Sequence, residues 1–118
     1  MNNKVRQGRA FFIGVLDMKC IVRGTTPKLI YKFAHVDPAN VRAAVLTITP
    51  DAGDPIERDL TTAVVDEDSI AWTLTQEETL AFGNWVRTML NWVLQDGTRG
   101  TSKKTKYIID SNDKEVVI

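Results

Sequence analysis

From Lys28 onward the apolar residues of this chain recur at every second position, and that period constrains its fold more than any other feature. Leu29, Tyr31 and Phe33 alternate with Lys28, Ile30 and Lys32. Ala44, Leu46 and Ile48 share one side of a second stretch, and Ile70, Trp72 and Leu74 one side of a third. Successive side chains of a strand point to opposite faces, so each set marks the inward face of a half-buried strand. Val86, Thr88, Leu90, Trp92 and Leu94 form a fourth face. Turn-forming stretches separate the strands: Arg23-Gly24-Thr25-Thr26-Pro27, residues 37–40, Asp51-Ala52-Gly53-Asp54-Pro55 and Asp66-Glu67-Asp68. Short alternating strands broken by such turns belong to an all-β sandwich or barrel. Leu29, Tyr31, Phe33, Leu46, Ile48, Ile70, Trp72, Leu74, Val86, Leu90, Trp92 and Ile109 are the expected core.

Two local signals add detail. In Thr75-Gln76-Glu77-Glu78 the Thr75 hydroxyl can cap the Glu78 amide while the Glu78 carboxylate reaches back to the Thr75 amide, which predicts one short helical turn near 76–82. Leu80 and Phe82 then plug an open end of the sandwich. Asp96-Gly97, between two strand candidates, predicts a two-residue hairpin loop that pairs Gln95 with Thr98 and hence Val86 with Tyr107.

The chain has 118 residues, the size of one domain. Hydrophobic residues make up 43% and charged residues 25%, which excludes a disordered or collagen-like chain. Cys20, the single cysteine, cannot form an internal disulfide, so a disulfide-stapled secreted fold is excluded and a reducing compartment is expected. Residues 11–16 form an apolar run after Lys4, Arg6 and Arg9, but they are too few for a secretory core or a bilayer span. We therefore expect an N-terminal extension at 1–17, a single sandwich domain at 18–118, Met18 as an adequate start for the fold, and an edge strand at 116–118.

The 15 basic and 15 acidic side chains cancel, yet they are unevenly spread. Residues 1–36 are basic and residues 37–78 acidic, a polarity that suits pairing across a sheet or packing between like subunits. Nucleic acid is not an expected partner, because Lys103, Lys104 and Lys106 form a short cluster without interleaved aromatics or an overall basic balance.

The stretch from Ile21 through Arg23-Gly24-Thr25-Thr26-Pro27, then Leu74-Thr75-Gln76-Glu77-Glu78-Thr79-Leu80-Ala81-Phe82, then Asp96-Gly97 with Ser102 five residues on, resembles a family of small prophage-encoded proteins of Gram-positive bacteria. These are similar to the immunoglobulin-like N-terminal domain of phage upper-baseplate proteins. The resemblance runs from about Met18 to Ile118 and departs at Asn112 and Asp113, where the pattern has apolar residues. It implies an immunoglobulin-like antiparallel β-sandwich of about seven strands that serves as a non-catalytic structural or assembly protein of a phage tail or baseplate. It also implies assembly in the bacterial cytoplasm and leaves incorporation into the virion open. The implied partners are other tail or baseplate proteins, or further copies of the chain.

The residues supply no enzyme signature. His35 is the lone histidine, so no His/Cys zinc set can be assembled, and its place at a strand-to-loop transition reads as a solvated or capping residue and not as the base of a triad; no cofactor is expected. Asp51, Asp54, Asp66, Glu67 and Asp68 fit no calcium-loop spacing. A binding module is the competing reading, since Trp72, Trp85 and Trp92 could stack on sugar rings and make the chain a stand-alone carbohydrate-binding sandwich. Alternation assigns Trp72 and Trp92 to the core, with their indole nitrogens bonded at the sandwich ends. Trp85 is left on the opposite face with Arg87, Met89 and Val93. Aromatic, arginine and methionine content of this kind marks a protein contact, and these four residues are the candidate contact face; the alternative is that the segment Phe11 to Leu16 folds back over this face and leaves no intermolecular site.

Overall fold

The computed structural model of the chain describes residues 19–115 and residue 117. The extension at 1–17, Met18, and Val116 and Ile118 of the expected edge strand lie outside the described residues. The strands are β1 (Lys19–Val22), β2 (Lys28–Lys32), β3 (Val41–Pro50), β4 (Ile56–Asp59), β5 (Val64–Val65), β6 (Ser69–Thr73), β7 (Trp85–Leu94), β8 (Arg99–Thr101) and β9 (Thr105–Asp110). One short helix, α1 (Gln76–Leu80), lies between β6 and β7, and 3-10 turns occupy Pro38–Asn40 and Leu60–Thr62.

The strands form two sheets, one ordered β1-β9-β7-β3-β4 with β8 also on β7, the other β2-β6-β5. The chain is an all-β sandwich. The order β9-β7-β3-β4 facing β2-β6-β5 is the arrangement of the G, F, C and C′ strands against B, E and D in immunoglobulin-type sandwiches. Two details differ from the expected seven antiparallel strands. Nine strands are present among the described residues, because the short β5 and β8 pair locally beside longer neighbours. In addition, β1 runs parallel to β9, with Ile21 opposite Ile109. No hairpin links these two strands; the rest of the domain lies between them, so their direction is set by the sandwich and not by a turn.

Alternation located the core. Leu29, Leu46, Ile48, Ile70, Trp72, Leu74, Val86, Leu90 and Ile109 are buried, joined by Ile21, Val41, Ala44 and Phe82. Tyr31, Phe33 and Trp92 pack at the rim of this cluster, half-buried. Each has a specific partner. The Tyr31 hydroxyl donates to Thr88 Oγ1 (2.7 Å), which satisfies a hydroxyl that is otherwise sealed in the core. Phe33 meets Trp92 edge-to-face at 5.2 Å between centroids. The Trp92 ring also lies across Gly100 on β8, where a Cβ would fall 2.4 Å from Trp92 Cε2. Trp72 donates its indole N–H to the Asp59 carbonyl (2.9 Å), so the largest core side chain has no unpaired polar atom.

The β7–β8 loop is one residue longer than expected. The Gly97 N–H donates to the Leu94 carbonyl and the Leu94 N–H to the Thr98 carbonyl (2.9 and 2.8 Å), enclosing Gln95, Asp96 and Gly97 with Gly97 at φ 91°. This is a three-residue loop with its left-handed position at glycine. The offset is cancelled further on. Asn91 pairs with Thr101, but Thr88 pairs with Thr105, so one extra residue enters the returning chain around Ser102. There the Leu90 N–H donates to Ser102 Oγ (2.8 Å) while the Ser102 N–H returns to the Leu90 carbonyl. Val86 therefore does lie opposite Tyr107, as expected, by way of a bulge the expectation did not contain.

The capping box is present in both directions. The Glu78 N–H donates to Thr75 Oγ1 (3.1 Å) and the Thr75 N–H to Glu78 Oε1 (2.9 Å). The helix it starts is held by the Arg-Gly-Thr-Thr-Pro turn. Gly24, at φ 83°, donates its N–H to Thr79 Oγ1 (3.0 Å), and the Thr79 hydroxyl donates to the Thr25 carbonyl (2.8 Å). Arg23 extends the clasp to the chain leaving α1, donating to the Gly83 and Phe82 carbonyls (2.7 and 3.3 Å). Asn112 supports Arg23 from behind by donating to its carbonyl (3.0 Å).

Candidate protein-contact face

The four residues singled out in the sequence all lie on the outward face of β7, at the middle of the larger sheet. Trp85, Met89 and Val93 are half-buried, and Arg87 is exposed. Their inward neighbours Val86, Thr88 and Leu90 are buried, so alternation assigned the faces of this strand correctly. A ten-residue strand holds them rigidly, paired along most of its length with β3 on one side and with β9 and β8 on the other.

Trp85 is the centre of a local cluster. The Arg87 guanidinium carbon lies 5.9 Å from its ring centroid and the Lys106 ammonium 4.9 Å from it. Both distances fall within cation–π range, so the ring face is already partnered by two cations. Lys106 arrives because Arg87 pairs with it across β7 and β9, and the same register sets Ile108 beside Trp85. On the other flank Met89 pairs with Thr47 and Val93 with Ala43, while Val45, opposite Asn91, is exposed. Glu57 and Asp59 of β4 lie opposite Thr47 and Val45 at the sheet's far edge. The result is an apolar strip with Arg87 inside it, Lys106 on its β9 side and the Glu57 and Asp59 carboxylates on its β4 side, while Asp110 lies farther out beside Cys20 of β1.

Sequence reasoning missed Val45, Glu57, Lys106 and Ile108. The signal for the last two was present, because the pairing of Val86 with Tyr107 already puts Arg87 beside Lys106 and Trp85 beside Ile108. Val45 and Glu57 needed the β3–β7 and β3–β4 registers, which no local turn dictates.

The other groups with chemical capacity are dispersed. His35 is exposed after β2. Cys20 is exposed on β1; desolvation first, then the neighbouring Asp110 carboxylate, hold its thiol above the ordinary range, the reverse of what a thiolate nucleophile needs. Among the described residues no group of three or more His, Cys, Asp or Glu could hold a metal ion. Asp51 serves the backbone instead, its Oδ2 accepting the Asn84 N–H (2.9 Å), while a Cβ at residue 83 would come within 2.3 Å of Oδ1. Asp59 is held below the usual carboxylate range by the Thr61 hydroxyl and then the Thr61 N–H, as the cap of a 3-10 turn. A shallow cleft beside α1 is lined by Pro50, Ile56, Ala81 and Phe82 with Asp54, Glu77 and Glu78; Glu78 is committed to the capping box and to an ion pair with Arg58. The Arg-Gly-Thr-Thr-Pro turn and Ser102 thus have folding tasks: Arg23, Gly24 and Thr25 clasp α1, and Ser102 closes the bulge.

Comparisons with protein-family models, with curated proteins and with solved structures find no match to this chain.

Proposed function

We propose that this chain is a non-catalytic sandwich that works through protein–protein contact, with the outward face of the larger sheet as its contact surface, as a structural or assembly component of a phage tail or baseplate. The observation that carries the contact reading is the row Trp85, Met89 and Val93. The outward face of an antiparallel sheet that meets only water is mostly polar, whereas here three of the five outward positions of the central strand are a tryptophan, a methionine and a valine, interleaved with Arg87 and Asn91. The phage setting is drawn from the resemblance alone.

The competing reading, a carbohydrate-binding module, has less support. Sugar platforms use open, coplanar aromatic rings. Trp72 is buried, Trp92 lies over Gly100, and the Trp85 ring is overlaid by Lys106 and Arg87.

Mass spectrometry of purified particles from an induced lysogen carrying the gene tests the setting. Recovery of the chain with the tail proteins is the expected result, and its absence from both particles and assembly intermediates would overturn it. Retention on cell-wall glycan that is lost in Trp85→Ser would favour the competing reading.

A further inference from the structure

We infer that the occupant of this face is the same face of a second copy of the chain, in a two-fold contact. The inference deepens the protein-contact reading and rests on it. Charge placement is what selects the partner. Lys106 lies on β9 and Glu57 on β4, so the two signs flank the apolar strip on opposite sides, with Arg87 inside the strip on β7. A two-fold contact brings each patch against its own copy, so a patch of one sign repels itself. A patch carrying both signs across an apolar centre offers each copy's cations to the other's carboxylates, twice over. Neither Arg87, Lys106 nor Glu57 has an ion-pair partner among the described residues. The chain as a whole is neutral, with 15 charges of each sign, so two copies meet without net repulsion.

The size fits a weak dimer. The ten-residue β3 and β7 with the shorter β1, β4 and β9 outline roughly 550 Å² at about 4.8 Å between strands and about 3.4 Å per residue, the low end of protein interfaces. The outward face of the smaller sheet is a poorer surface. It carries the exposed Ile30 and Val64 on either side of Ala71, but it spans only three strands of five, five and two residues, and Lys28 and Lys32 flank Ile30 on an edge strand.

Sedimentation equilibrium of the full chain, from micromolar to millimolar concentration, tests the inference. The wild type should reach a dimer. Lys106→Glu and Glu57→Lys, each on an exposed side chain, should separately weaken it by about tenfold or more, with the melting temperature unchanged at dilutions where the wild type is monomeric. An equimolar mixture of the two variants should recover a mixed dimer, which general surface damage cannot produce. A wild type that stays monomeric at the highest concentration, or a mixture that associates no better than its components, overturns the pairing. A monomeric wild type that binds purified tails, and loses that binding in Trp85→Ser/Met89→Ser, overturns the pairing alone and leaves the contact reading standing. If that double variant alters neither self-association nor tail binding, both fall.

Discussion

A single hydroxyl, Thr79 Oγ1, joins two segments more than fifty residues apart by accepting the Gly24 N–H and donating to the Thr25 carbonyl. Thr79 is fully buried, so neither group has water as a substitute partner. The Arg-Gly-Thr-Thr-Pro turn and the capping box of α1 are therefore one structural unit. That unit closes the end of the sandwich over Phe82.

Thr79→Val keeps the shape of the side chain and removes both bonds. It leaves the buried Gly24 N–H unpaired, which should cost about 1–3 kcal/mol. Gly24→Ala should cost at least 1 kcal/mol, because the residue sits at φ 83° and a Cβ there comes within 3.2 Å of Leu80 Cδ2. Denaturant titration checks both. A Thr79→Val protein as stable as the wild type would show that the clasp is incidental.

Trp72→Ala should lose about 3–5 kcal/mol, since it empties the largest fully buried side chain and frees the Asp59 carbonyl. Trp92→Ala should cost less than Trp72→Ala, because Trp92 is only half-buried at the rim, although it loses the contact with Phe33. Gly100→Ala should perturb the same rim by driving a methyl into the Trp92 ring. The order of midpoints among the three in urea tests this map of the core, and Trp92→Ala as the most damaging would reverse it.

Much of this architecture was legible in the residues, for an identifiable reason. Where one face of a strand is buried and the other is wet, a shift of one residue exposes every apolar side chain, so the pattern on β2, β3, β6 and β7 admits one facing. Asp96-Gly97 marked a hairpin but could not tell a two-residue loop from a three-residue loop, because both accept glycine at the left-handed position. The compensating residue at Ser102 is a side-chain substitution for a ladder bond, and no periodicity announces it. The parallel pairing of β1 with β9 joins residues about ninety positions apart, which only the closed sandwich brings together. The contact face shows the same division: Trp85, Arg87, Met89 and Val93 share one strand and could be read from alternation, whereas Glu57 and Val45 come from other strands.

Ser102→Ala should cost about 1–3 kcal/mol despite its position in an irregular segment, because the Leu90 N–H loses the Oγ that replaces a strand partner. Local opening should follow. Hydrogen exchange at Leu90 should accelerate well beyond that at Val86, which pairs with Tyr107 in the undisturbed part of the sheet. Uniform acceleration along β7 would mean that the bulge is not a separate weak point.

Alkaline stability should depend on Tyr31 and Tyr107. Burial raises both phenols above their ordinary value; the bond to Thr88 acts against this at Tyr31, and the proximity of Tyr31 adds to it at Tyr107. The folded state thus favours the neutral phenol more than the unfolded state does. That contribution is fully present below the unfolded value of about 10, and it is lost as pH rises from there through the raised folded values. Urea midpoints should therefore hold steady up to about pH 9 and then fall. Lysines also titrate in this range, so the measurement that isolates the phenols is the difference from Tyr107→Phe, which should fall less steeply with pH than the wild type. An absorbance titration of the folded protein in which both phenols ionise at the ordinary value would sink the prediction, because no difference between folded and unfolded states would then remain to drive the loss.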